Sequence, residues 1–170
     1  MKKGTLKRFF IDNKIALSLV AISLTAMVAT LIILYTRFLK MKTATPPLKG
    51  KVTSKFGTRK HPVTGVVSEH NGVDISAPTG TPIVSPLDGT VIEANTHATG
   101  GKQLVIKHVN GYRTGYAHLS GYAVNKGDTV KQGQVIAYVG NTGVSTASHL
   151  HFTLTNPLGV KVNPEDYFQF

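Results

Sequence analysis

Between Ile15 and Tyr35 the chain reads IALSLVAISLTAMVATLIILY, 21 residues without a charge and without an amphipathic stripe. A helix crosses the hydrocarbon core of a bilayer with about 20 such residues. No comparable run follows. From about residue 50 the pattern changes to short β-branched stretches separated by Gly, Pro, Asn and Asp, as in TPIVSPLDGTVIEAN, KQLVIKHVNGYRTGYAHL, DTVKQGQVIAYVGNTG and HLHFTLTNPLGVKV. Short β-branched runs bounded by such turn residues read as strands. Asn110-Gly111 and Asp88-Gly89 are the dipeptides that favour tight hairpin turns. No window after Tyr35 shows a capped helical period. The pattern predicts four segments: a leader over 1–14, a membrane-spanning helix over 15–36, a Pro-containing linker over 37–50, and an all-β, mainly antiparallel domain over 51–170.

Charge sets the orientation of the first segment. Residues 1–42 hold eight Lys or Arg and one acid, Asp12, whereas residues 43–170 hold eleven and seven. The formal charge of +11 is therefore concentrated around the apolar run. Lys2, Lys3, Lys7, Arg8 and Lys14 precede it, which keeps the leader cytoplasmic and sends the β domain outside. Arg37, Lys40 and Lys42 on the other flank make that bias modest. A cleaved signal peptide is the rival reading, with an apolar region of about 7–15 residues and a small-residue exit. This run is longer and ends in ILYTRFLK. The β domain carries little surplus charge, and GYRTGY is the one stretch that interleaves aromatic and basic residues, so a nucleic-acid partner is not expected. The chain has no cysteine, which excludes disulfides, thiol nucleophiles and cysteine-held metals. Any metal must sit on His, Asp or Glu.

Seven histidines remain to be placed. His149 and His151 in SHLHFTL lie two apart on a predicted strand, so both face the same way, roughly 7 Å apart. His70 and Asp74 in EHNGVDIS share a strand face only at about 13 Å, too far for one cation with ligand bonds of about 2 Å. The chain must bend between them, and Asn71-Gly72 is where it can. Two imidazoles, one carboxylate and an open fourth position make up a known catalytic zinc set. His70, Asp74 and one histidine of the 149/151 pair supply it, leaving the other beside the metal with a free nitrogen. His118 ends a strand-like run. His97 reads as a loop residue, His108 as a strand-end surface residue, and His61, before Pro62, as part of a turn.

Seven blocks occur together and in order: SKFGTRKHPVTG, HNGVDISAPTGTPI, DGTVIEA, GYRTGYAHLS, VKQGQVIAYVGNTGVST, HLHF and VNPEDYF. In these the chain resembles the lysostaphin/LytM-type zinc endopeptidases, which cut peptide cross-links of bacterial peptidoglycan. The resemblance covers about residues 50–168. It implies a mainly antiparallel β fold with a narrow substrate groove and one zinc ion. It implies His70, Asp74 and His151 as ligands and His118 and His149 as unligated catalytic histidines. Peptidoglycan is then the substrate, cleaved by a zinc-activated water at the outer face of the cytoplasmic membrane. Many relatives carry Glu after HLHF where Thr153 stands here, and ATGGKQ and STASHLH also depart from the common pattern. These departures touch groove shape and substrate choice, not the five chemical positions.

Two other readings compete. A non-catalytic scaffold or activator of another wall hydrolase would bind a partner and no metal. A purely structural zinc would need four protein ligands and a closed site. The stretch 37–53 holds no His, Asp, Glu, Asn or Cys, so no inhibitory side chain is expected from it.

Overall fold

The computed structural model describes residues 3–60 and 67–170. His61 and Lys2 lie outside the described residues. The chain forms two units, 1–39 and 40–170. The first is built from helix α1, Lys3–Lys42, which continues past the apolar run. Its segment Ala16–Thr36 has a mean hydropathy of 2.5 over 21 residues, enough in length and composition to cross a membrane. Leu17, Val20, Ile22, Leu31 and Ile32 all lie exposed along it.

The second unit is a β domain. Its strands are β1 Lys51–Ser54, β2 Gly57–Lys60, β3 Val67–His70, β4 Val73–Ser76, β5 Pro82–Val84, β6 Gly89–His97 and β7 Gly101–His108. These are followed by β8 Arg113–Leu119, β9 Gly121–Tyr122, β10 Thr129–Val130, β11 Val135–Tyr138, β12 His149–Thr155 and β13 Lys161–Val162. One large sheet runs β1-β4-β12-β8-β7-β6-β10, with β13 added beside β12. A second sheet, β5-β11-β9, and the β2-β3 hairpin complete the domain. Every recorded strand pair is antiparallel, as short strands separated by turn residues predict.

Alternation divides the faces of the large sheet. Val73 and Ile75 of β4, Leu150, Phe152 and Leu154 of β12, Tyr116 of β8 and Leu104 and Ile106 of β7 are all buried. They join Ile83 and Ile136 of the second sheet in one continuous core. Burying such a side chain contributes about 1.5–3 kcal/mol, so this face fixes the register. A slip by one residue would turn the core residues outward. The intervening positions of β4, β12 and β8 are thereby committed to the opposite face.

Asn110-Gly111 makes the predicted turn between β7 and β8, with Gly111 at φ +87°. Asp88-Gly89 does not make a hairpin. Gly89 opens β6, and a Cβ there would lie 2.7 Å from the Lys107 carbonyl oxygen and 2.8 Å from Ile106. Its glycine serves close strand approach rather than a turn.

His108 is not the surface residue its strand-end position suggests, because it is only 3% exposed. Its Nδ1 donates to the Asp88 carbonyl at 3.3 Å, and Nε2 accepts from the Thr114 hydroxyl at 2.7 Å. Thr114 in turn accepts from the Tyr116 hydroxyl at 2.8 Å. Burial pulls the His108 pKa below the ordinary 6.5, against the backbone bonds that favour the charged ring. The unfolded chain therefore takes up this proton first as pH falls. Stability present above 6.5 is lost below it. Urea unfolding at about pH 7.5 and about pH 5.5 should show a smaller loss in His108→Gln than in the wild type. Equal losses would place the pH dependence elsewhere.

Candidate metal centre and flanking histidines

Register assembles the centre. On β12, His149, His151, Thr153 and Thr155 occupy the face opposite the core. In the strand pairing, His151 stands against Asp74 of β4 on one side and Ala117 of β8 on the other. Neighbouring positions share a face, so an imidazole and a carboxylate are placed side by side by backbone pairing alone. His70 arrives from the β2-β3 hairpin, outside the large sheet. The chain bends at Asn71-Gly72, as the spacing requires, and a Cβ on Gly72 would lie 2.4 Å from the Phe152 carbonyl oxygen.

The three groups converge. His151 Nδ1 is 2.8 Å from Asp74 Oδ1, His70 Nε2 is 3.2 Å from the same oxygen, and the two nitrogens are 3.1 Å apart. Ligands on a tetrahedral cation with bonds of about 2.0 Å stand ~3.3 Å from one another, so the triangle fits to within half an ångström. The outer nitrogens explain the polarity of the inner ones. His70 Nδ1 donates to the Lys55 carbonyl at 2.8 Å, and His151 Nε2 donates to Asn71 Oδ1 at 3.2 Å. Each ring then turns a lone pair inward beside a carboxylate oxygen. Three acceptors facing one point call for a cation or an added proton between them. Burial alone would raise the Asp74 pKa, but where that added proton sits on His151 or His70 the resulting bond and charge outweigh burial and hold the carboxyl well below the usual range.

His149 and His118 flank this triangle. His149 Nε2 is 3.7 Å from Asp74 Oδ1, and its Nδ1 donates to the Ala147 carbonyl at 2.8 Å. The His118 ring centre lies 4.7 Å from that of His149 and 6.1 Å from that of His151. Strict alternation would send His118 to the core face with Thr114 and Tyr116. Instead one extra residue is accommodated on β8, because Leu104 pairs Tyr116 while Lys102 pairs Leu119. This bulge puts His118 at φ +61°, the one non-glycine with a positive φ among the described residues. Such a bulge re-aims a side chain, here toward the centre. His118 Nδ1 donates to the Thr142 carbonyl at 2.8 Å, leaving Nε2 free. Burial lowers its pKa below the ordinary imidazole value.

All five candidate residues thus meet in one cleft of about 650 Å³. His97 and His108 do not join it. Arg59 does, although nothing local in the sequence assigns it a role. Its Nη1 lies 3.6 Å from Asp74 Oδ2 and also donates to Ser54 Oγ. This sets a positive charge beside the outer carboxylate oxygen, while Oδ1 faces the centre. Its place in FGTRKHP, one of the family-like blocks, was the available signal.

The model of peptidase family M23 matches residues 68–164. The chain belongs to peptidase family M23. That span includes all five residues of the cleft's chemical cluster. The chain is 50% identical over 103 residues to the peptidoglycan DD-endopeptidase ShyB of Vibrio cholerae, covering 60% of this chain and 24% of the relative. A zinc-containing peptidase from Vibrio cholerae superposes with a TM-score of 0.65 at 43% identity, over 69% of this chain and 37% of that one. The catalytic domain of lysostaphin from Staphylococcus simulans gives 0.62 at 34% identity, over 69% and 91%. The M23 chain spans about a quarter of the length of the curated relatives it matches. The family resemblance and the β fold expected from the sequence are both met.

Proposed function

We propose that this M23 chain is a membrane-anchored zinc endopeptidase that hydrolyses peptide cross-links of peptidoglycan. The observation that carries it is the convergence of His70 Nε2, Asp74 Oδ1 and His151 Nδ1, with two further histidines beside it. A purely structural zinc would want a fourth protein ligand. The three-donor set in an open cleft favours catalysis, and the peptidoglycan endopeptidases among its relatives supply the substrate class. Zinc held by these three residues would supply Lewis acidity, lowering the pKa of water and polarising an amide carbonyl.

The chain's own residues do the rest. His149 and His118 each anchor Nδ1–H on a backbone carbonyl, so each presents Nε2 to the cleft in a fixed tautomer. One of them takes the proton of the attacking water and returns it to the leaving amine. The other orients that water or donates to the oxygen that gains charge. Arg59 holds Asp74 in place through its outer oxygen. The apolar, exposed segment Ala16–Thr36 fits a bilayer better than water, and confines the cleft to wall near the membrane.

Purified full-length protein in detergent should release cross-linked peptides from peptidoglycan, and a chelator should stop the release until zinc is restored. Mass analysis of the products identifies the bond. Binding to peptidoglycan or to another hydrolase, with no metal and no release, would instead favour the scaffold reading.

A further inference from the structure

A second, smaller cavity of about 210 Å³ adjoins the cleft and shares His151, Ala117 and Gln103 with it. Its outer wall is made by Thr153, Gly115 and Lys161. The strand register places them. Lys161 of β13 pairs with Thr155 of β12, so it lies on the same face as His149, His151 and Thr153. Thr153 is one step of the alternation beyond His151, about 7 Å along the strand. Gly115 of β8 stands directly across from Thr153, and a Cβ there would come within 2.6 Å of Thr153 Oγ1. The missing side chain opens this end of the groove.

Lys161 as a whole is an exposed residue, but its Nζ donates to Thr153 Oγ1 at 3.0 Å in a part-buried contact. That hydroxyl offers one neutral acceptor to a group with three donors. No ion pair to Lys161 occurs among the described residues, and it is the one Lys, Arg, Asp or Glu lining this cavity. Withdrawal from water lowers its pKa below the ordinary lysine value. A cation partly desolvated without a counter-charge is costly, and an arriving anion offsets that cost.

We infer that Lys161 and the Thr153–Gly115 cavity form a subsite for a carboxylate carried by the substrate residue next to the scissile amide. The inference rests on the proposed peptidase reading and deepens it, because it names a chemical feature the substrate must carry. Stem peptides containing a diamino acid with a free carboxylate carry that feature. Those in which the group is amidated do not. Thr153, which holds the ammonium, stands about 7 Å along β12 from His151, or about two residues of extended peptide, within reach of a carboxylate borne by the residue beside the scissile amide.

The test uses two matched, uncleaved stem peptides, one with the diamino-acid carboxylate free and one with it as carboxamide. Their binding to the full-length, zinc-loaded protein is measured by calorimetry. The acid should bind about tenfold to a hundredfold tighter than the amide, the range of a hydrogen bond to a charged group. Lys161→Met should remove that ratio by weakening the acid alone, and Lys161→Arg should restore most of it. Equal weakening of both peptides in Lys161→Met would assign the lysine to structure and overturn the subsite, as would an unchanged ratio. Because no turnover is read, loss of the acid preference is distinguishable from failure of the peptidase reading, which the release assay measures separately.

Discussion

His149→Ala is expected to keep its zinc and lose about 10²- to 10⁴-fold in turnover, whereas His151→Ala loses the metal itself. The two residues are one alternation apart on β12, yet their inner nitrogens meet different things. His151 Nδ1 faces Asp74 Oδ1 at 2.8 Å and His70 Nε2 at 3.1 Å, so deleting it removes one corner of the triangle. His149 Nε2 stands back at 3.7 Å from the same oxygen, close enough to act on a water beside the centre but outside the tight set. Zinc content per chain, measured beside peptide release for both variants, separates the roles. Equal zinc loss in the two would refute the division, and full turnover in His149→Ala would remove it from the mechanism.

Gly72→Ala is expected to damage metal binding without touching a ligand. The added methyl would meet the Phe152 carbonyl oxygen at 2.4 Å, Thr153 Cγ2 at 2.9 Å and His151 Cε1 at 3.0 Å. The first of these is backbone in the middle of β12, tied to β4 on one side and β8 on the other, so it cannot yield cheaply. The Asn71-Gly72 bend must move instead, carrying His70 away from Asp74. Overpacking of this kind costs about 1–3 kcal/mol. Zinc affinity should fall at least about tenfold with it, since one ligand is held off the other two. Thermal unfolding and competition with a chromogenic chelator measure the two effects. Unchanged affinity in a destabilised protein would show that the bend can relax without moving His70.

Much of the centre was legible because strand alternation is a local rule. The two-residue spacing of His149 and His151 put both on one face, and the four-residue gap from His70 to Asp74 demanded the bend that Asn71-Gly72 provides. His118 was legible only through its resemblance block. Alternation from Thr114 and Tyr116 sends it into the core, and the bulge that reverses it depends on how β8 pairs with β7, which no local pattern encodes. Arg59 and the carbonyls of Lys55, Thr142 and Ala147 were hidden for the same reason: their contacts join segments far apart in the chain or depend on backbone placement. His108 misled in the opposite direction. A polar residue at a strand end reads as surface until Thr114 and the Asp88 carbonyl are found to satisfy both of its nitrogens.

The outer nitrogens of the four clustered histidines are fastened by oxygens from residues 55, 71, 142 and 147. The fastenings span 15 residues for His70, 24 for His118 and 80 for His151, and 2 for His149. A nascent or partly unravelled chain can form the β2-β3 hairpin, which already brings His70 beside Lys55, and still leave the His118 and His151 rings without their fastenings. On the proposed peptidase reading, hydrolytic competence would arrive only with the finished domain, when β4 closes on β12.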